Sequence, residues 1–575
     1  MAFQLSPGVN VSEIDLTTVV PSVSTTAGAI VGDFAWGPVN KRILVDSEIT
    51  LVDRFGKPNS NTFVSFFSAA NFLAYGNNLR VVRVVDTTTA LHANNATAVG
   101  TGVLIENEDD YELNHSANTT TAYGEFYARY PGSLGNNIRV TACANNSSSS
   151  FNSWNITTST GLTVNLNTYF DNPPGTSTYA ASVGGSNDEL HIAVIDDTGV
   201  ITGTAGTVLE KYAHVSKASD AKLDDGTPNY YVTQISNKSK WVQVASHITP
   251  GWGVSAVNKN FGTTTSIYED KLAGGIDVTP LQSHYVTGWD LFANSEEVDV
   301  SLLVAGNASE VGNGTTVPEY VHQIADDRKD CLAFISPNYT SAVTSPSAVG
   351  VVAYRNSLDI GTSYSVMDSA WKYQFDKYNN VYRYVPLNGD IAGLCVYTDN
   401  VRDPWWSPAG LNRGRIKNVV KLSWNPNKTD RDTLYPANVN PVVAFPGEGV
   451  VLYGDKTMQS KPSAFDRINV RRLFIVLEKA IAVAAKYSLF EFNDEFTRAQ
   501  FVALVEPFLR DVKGRRGIYD YRVVCDSTNN TAQVIDSNQF VGDIYIKPAR
   551  SINFIQLNFV AVRTGVDFTE IVGKF

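Results

Sequence analysis

The chain has 575 residues, which predicts three to four domains. Its net charge of −12, from 45 Lys and Arg against 57 Asp and Glu, argues against wholesale binding of nucleic acid or an anionic membrane and leaves only a local basic patch open. Hydrophobic residues make up 43% and charged residues only 18%, so large cores can be buried and much uncharged surface remains, which fits burial between subunits.

The stretch PGVNVSEID, residues 7–15, alternates like a strand, with Val9 and Val11 on one side and Ile14 on the other. The LTTVVPSVSTT that follows carries no hairpin signal, so this strand must find its backbone partner elsewhere. AGAIVGDFAWGPVN predicts a β segment ending at Gly37-Pro38. TFVSFFSAANFLAYG predicts a helix, with Phe63, Phe66, Phe67, Ala70 and Leu73 at i, i+3, i+4 spacing and Gly76 as its C-cap. NLRVVRVVD reads as a buried strand that keeps two arginines. Residues 91–267 turn rich in Thr, Asn, Ser and Gly. Their frequent Tyr, Trp, Val and Ile predict all-β modules inserted into a core domain, with an Asp-Gly turn in DDGTPNYY. From about 280, VDVSLLVAG, PEYVHQIADDRKD, CLAFISP and SAVGVVAYRNSL alternate strand and helix as an α/β layer, and GDIAGLCVYTDN is expected to add a strand. Near the end, FDRINVRRLFIVLEKAIAVAAKYSL predicts a helix with Leu473, Val476, Leu477, Ala480, Ile481, Ala484 and Tyr487 on one stripe. Asp494 can cap a second helix, which Pro507 should kink or split and KGRRG should end. YDYRVVCD, VGDIYIKP and SINFIQLNFVAVR are strand-like, and GVDFTEIV, residues 565–572, is one more alternating run, carrying Val566, Phe568 and Ile571.

No run reaches the ~18 apolar residues of a membrane span, and MAFQLSPGV lacks the basic and apolar regions of a secretory signal. Cys143, Cys331, Cys395 and Cys525 are far apart and are expected as buried thiols in a reducing cytosol. The seven histidines form no HExxH and no Cys/His cluster, so no metal, cofactor or catalytic residue is expected. GVVLYGDKT, residues 449–457, approaches a phosphate loop. Asp455 would repel the anion, however, and no helix opens on the threonine, so a strand–turn pair is expected. NEDDYE, residues 107–112, reads as a solvated loop rather than a calcium site. Trp405-Trp406 reads as packing at a domain joint or interface rather than as a stacking platform for a ligand. KGRRG, residues 513–517, is either a solubilising turn or a dock for an acidic partner.

Taken in order, these stretches resemble the contractile tail sheath proteins of bacteriophages. SPGVNVSEID, VGDFAWGPVNK with LVDSEITLVDRFG, YPGSLGNNIRV and PLNGDIAGLCVYTDNVRDPWWSPAG carry the resemblance, the last through Ala392-Gly393, Asp399, Arg402, Trp405 and Pro408-Ala409-Gly410. RINVRRLFIVLEKAI, FLRDVKGRRGIYDYRVVCDSTNN and DIYIKPARSINFIQLNFVAV continue it. The resemblance implies a mixed α/β, multidomain fold. It comprises an N-terminal strand-exchange arm and linker (1–20), a core domain in two parts (21–90 and 268–400) around an outward all-β insertion (91–267), an inner, tube-facing helix-plus-small-sheet domain (401–564), and a C-terminal strand-exchange arm (565–575). Val9, Val11, Ile14, Val566, Phe568 and Ile571 would complete the small sheet of neighbouring subunits. The implied function is mechanical and not enzymatic: hexameric rings stacked around a tail tube contract and drive the tube through the host envelope. The implied partners are further copies of the chain, the tube protein, and baseplate and terminator proteins. Neither nucleic-acid binding nor membrane insertion is implied, and the place is the virion tail after assembly in the host cytoplasm. Lys513, Arg515 and Arg516 are expected to touch the tube. A β-rich receptor-binding or adhesin-type tail protein is the alternative reading, and an enzyme built on the phosphate-loop near-miss is a further one.

Overall fold

Gly28–Gly32 carries no polar side chain and forms β1, buried along its whole length. The computed structural model describes residues 24–89, 93–115, 123–144, 146–262 and 267–556. β1 lies within a six-stranded sheet. It is followed by β2 (Ile43–Val45), α1 (Glu48–Phe55), α2 (Phe63–Leu73) and β3 (Leu79–Arg83). The sheet resumes after residue 300 with β4 (Leu302–Val304), α3 (Thr316–Arg328), β5 (Leu332–Ile335), α4 (Ala348–Ser357) and β6 (Ser365–Met367). The order is β6-β5-β4-β1-β3-β2. Only β2 runs antiparallel to its neighbour. Parallel strands joined by helices are covered on both faces, which is why they read as unbroken apolar runs.

Alternation along β1 assigns those faces. A Cβ on Gly28 would stand 2.5 Å from Phe72 Cζ and one on Gly32 would stand 2.6 Å from Ser65 Cβ, so both glycines let α2 press on one face. Val31, on the other face, meets Gly288 of the helix Gln282–Asp290. A three-stranded antiparallel sheet follows, β7 (Trp371–Asp376), β8 (Val381–Pro386) and β9 (Lys421–Leu422), in the order β8-β7-β9. Between β8 and β9, GDIAGLCVYTDN forms helix α5 (Asn388–Val401) instead of the expected strand. Ile391, Ala392, Leu394, Cys395, Val396 and Thr398 are all buried, so the helix is covered all round and shows no amphipathic period. Gly389 and Gly393 let it lie against α2 and Tyr75. A Cβ on Gly389 would be 2.2 Å from the Ser68 carbonyl oxygen, and one on Gly393 would be 2.4 Å from Tyr75 Cδ2.

Between β3 and β4 the chain builds a four-stranded antiparallel sheet in the order Tyr268–Lys271, Ile138–Cys143, Glu189–Asp196, Thr207–Ser216. The first of these strands lies just past residue 267. The region is not all-β, because Tyr231–Lys238 and Thr178–Ser182 are helical. NEDDYE is no loop either: Asn107 caps a helical turn over Glu108–Asp110 that continues to His115. Trp36 of the core domain joins this region's own apolar core and packs against Tyr130 and Trp241. Arg83, the last residue of β3, is buried at the joint and donates to the carbonyls of Phe34, Gly37 and Pro131 at 2.8, 2.8 and 2.7 Å. Burial pushes its guanidinium down to about 10. A charged residue in a buried strand thus serves as the three-way tie between core and insertion.

Candidate assembly interface

The C-terminal unit begins with α6 (Ile468–Ala485) and α7 (Glu495–Gly514). Leu473, Leu477, Ala480 and Ala484 of the expected stripe are buried, whereas Tyr487 lies beyond the helix and is exposed. Asp494 caps α7, accepting from the Thr497 amide at 2.8 Å. Pro507 does not split α7, which runs unbroken past it to Gly514. Phe501, Val505, Leu509 and Val512 keep one buried face on both sides of the proline, and that packing holds the helix together. β10 (Ile518–Val524) and β11 (Asp543–Pro548) then form a two-stranded antiparallel sheet over this core. Among the described residues neither strand has a second neighbour. A lone two-stranded sheet is marginally stable and offers two rows of backbone donors and acceptors.

The chain enters and leaves this unit at two polar knots. At the first, Arg472 of α6 forms a bidentate pair with Asp399 at 2.8 and 2.6 Å, and Thr25 Oγ1 donates to the same carboxylate at 2.6 Å. Burial alone would lower the Arg472 pKa, but Asp399 outweighs it and holds the guanidinium above its ordinary value. Ser24 accepts from Ser301 Oγ at 3.0 Å, so the root of the N-terminal segment is pinned between the sheet and α6. At the second knot, Asp455 accepts from Ser551 Oγ at 2.5 Å and Ser407 Oγ at 3.0 Å, and Arg467 lies 3.5 Å away. Lys456 donates to the Tyr435 carbonyl at 2.8 Å. Both charged residues of the phosphate-loop near-miss are therefore engaged within the protein, Asp455 on Ser551 and Lys456 on Tyr435.

The basic turn folds onto the paired tryptophans. Trp405 is buried in the core of the C-terminal unit and donates Nε1–H to the Arg515 carbonyl at 3.1 Å. The guanidinium of Arg516 lies 5.5 Å over the Trp406 ring, which Arg402 and Arg413 also flank. Arg515 pairs with Asp403 and, at 3.4 Å, with Asp511, and Lys513 pairs with Asp520 at 3.0 Å. Lys513 and Arg515 remain about half exposed. The sequence marked the cations but not their partners, which are distant in the chain or lie across the turn. Val9, Val11, Ile14, Val566, Phe568 and Ile571 lie outside the described residues.

In doubly wound sheets, ligands sit beyond the strand carboxyl ends where the order reverses, which here falls between β1 and β4. That position is filled. Asp33, just past β1, accepts from Ser65, Tyr285 and Asn307, and its carboxyl is raised by burial. Past β5, Ser336 Oγ donates to Asp368 at 2.5 Å and accepts from the Asn388 amide of α5 at 2.9 Å. The first turn of α5 closes the crevice with protein.

Three family models match the chain: the tail sheath protein Gp18 domain III N-terminal region over residues 25–84, the phage tail sheath protein central domain over 282–458, and the phage tail sheath C-terminal domain over 460–561. The tail sheath proteins of Vibrio phage KVP40 and Enterobacteria phage T4 are each 35% identical to it. The first alignment covers 99% of this chain and 100% of the relative, and the second covers 99% of each. Among solved structures, the sheath of an extracellular contractile injection system in its contracted state aligns at TM-score 0.51 and 13% identity, covering 99% of this chain and 100% of that one. The sheath tail protein of Desulfitobacterium hafniense aligns at TM-score 0.52 and 10% identity, covering 95% and 100%. With its core, its C-terminal unit and its full length all matched, the chain belongs to the phage tail sheath protein family.

Proposed function

We propose that this chain is the repeating subunit of a contractile tail sheath. Copies assemble as hexameric rings stacked around a tail tube, bounded by baseplate and terminator proteins, and the array shortens to drive the tube through the host envelope. The observation that carries this reading is the full-length match to tail sheath proteins, joined to a C-terminal sheet whose two strands have no second neighbour among the described residues. Strand-patterned segments stand at both ends of the sequence, and strand addition from neighbours would complete the sheet. Such donation is head-to-tail, so it propagates rings and helical arrays rather than closing a dimer. Energy stored in assembly requires no nucleotide. A difference of a few kcal/mol between two packings of each subunit, multiplied over the array, drives contraction. Lys513, Arg515 and Arg516 are proposed to reach acidic groups on the tube, exchanging their internal partners for external ones. Assembly takes place in the host cytoplasm and the product is part of the virion tail.

Electron microscopy of the purified chain tests the reading. Hollow helical tubes are expected, and a monomer that decorates host cells without polymerising would favour an adhesin instead.

A further inference from the structure

From the end of α6 to the first turn of α7 the chain holds a row of apolar side chains in solvent. Tyr487, Leu489, Phe490, Phe492 and Phe496 are 78, 62, 104, 84 and 75% exposed. Patches of this kind mark interaction sites. Phe490 sits at φ 70°, a left-handed conformation that a bulky side chain adopts only at a cost. Asn493 fastens the base of the loop, its Nδ2 donating to the Gln539 carbonyl at 2.7 Å. Glu491, Asp494 and Glu495 stand among the rings, with Lys486 and Arg498 at the flanks.

A surface of opposite character lies in the core domain. A groove of about 570 Å³ opens between α2 and β7, lined by Phe67, Ala70, Leu73, Phe375 and Val420, a volume within the ~300–1,000 Å³ range of binding clefts. Phe375 and Val420 are 45 and 61% exposed. Lys377 lines it, and Lys417 and Lys421 flank the lining residues Asn418, Val419 and Val420 in sequence, Lys417 donating to the Ala74 carbonyl at 2.7 Å and Lys421 standing over the Tyr373 ring. Glu48 also lines it, pairing with Lys377 at 3.1 Å, and among the described residues no carboxylate forms an ion pair with Lys417 or Lys421. An acidic aromatic loop and a basic-rimmed apolar groove on one chain match in sign and in chemistry, and they are different surfaces, as a head-to-tail contact requires.

We propose that the loop Tyr487–Phe496 of one copy seats Phe490 and Phe492 in the α2–β7 groove of a second copy, with Glu491, Asp494 and Glu495 facing Lys377, Lys417 and Lys421. The inference rests on the reading that copies of this chain polymerise. Because the two surfaces belong to the C-terminal unit and the core, each contact would tie the inner part of one subunit to the α/β layer of the next.

A pairwise readout separates the contact from polymerisation. Full-length Phe492→Cys and Val420→Cys chains, mixed under oxidising conditions, should give disulfide-linked heterodimers that neither gives alone, and the four native cysteines are buried. No heterodimers, from chains whose wild type polymerises, would overturn the contact and leave polymerisation standing. Heterodimers from chains whose wild type never polymerises would support the contact and overturn the sheath reading. The loop variant Glu491→Lys/Glu495→Lys, which spares the Asp494 cap, and the groove variant Lys377→Glu/Lys417→Glu/Lys421→Glu should each raise the concentration for half-maximal polymer about tenfold, a loss of about 1.4 kcal/mol. Mixing the two should recover much of it. Unchanged assembly by both variants, or a loop variant impaired only in binding tubes, would overturn the inference.

Discussion

Arg472 and Asp399 are both nearly buried, and their two short hydrogen bonds tie α6 to the end of α5. Replacing Arg472 with Met leaves the carboxylate buried without its cation, a change that costs about 3–5 kcal/mol. Guanidinium unfolding of the monomer should show that loss, and because Thr25 shares the carboxylate, proteolysis near residue 25 should quicken as well. Asp368 makes a pH prediction. Its folded carboxyl is raised from 3.8 to about 8, first by burial. Between those values the folded chain holds a proton that the unfolded chain has released, so this group's contribution to stability is greatest at low pH and is lost as pH rises toward 8. Asp368→Asn should flatten the stability profile over that window, measured by thermal unfolding from pH 4.5 to 8. An unchanged slope would mean that Asp368 is ionised in the fold.

The elements divide by how their packing shows in sequence. α5 nests on α2 through Gly389 and Gly393, and Gly389→Ala would push a methyl group into the Ser68 carbonyl. Overpacking of this kind costs about 1–3 kcal/mol, and unfolding of the variant should show it. β1, β3, β4 and β5 of the parallel sheet were legible because burial on both faces leaves apolar runs, whereas β6, three residues of Ser-Val-Met, is too short to show one. α6 was legible because past its buried first turns only one face is covered, through Leu477, Ala480 and Ala484. α5 was not, since a helix buried all round shows neither a period of 3.6 nor one of 2, and its glycines read as strand punctuation. Pro507 misled in the opposite direction: a missing amide is a local cost, and the apolar face of α7 overrides it. KGRRG was legible as charge only, because its partners Asp403 and Trp405 lie about a hundred positions away.

At the scale of the molecule, the insertion is held at Trp36 and Arg83, and its two ends come together. The Thr87 amide donates to His284 Nε2 at 3.4 Å. A short Gly/Ser linker can therefore replace residues 90–279, taking Tyr268–Lys271 with the sheet it belongs to, provided Trp36 is changed to Ser to suit its new exposure. The shortened chain should fold and still polymerise. A folded core unable to assemble would place the insertion within the subunit mesh. The two terminal segments are proposed to link subunits by completing the two-stranded C-terminal sheet of their neighbours. Electron microscopy of full-length protein beside chains lacking residues 1–16 or 565–575 tests this claim most directly. Continuous tubes are predicted from the full chain, with folded monomers or short disconnected stacks from each truncation, whereas normal tubes from either truncated chain would contradict the claim.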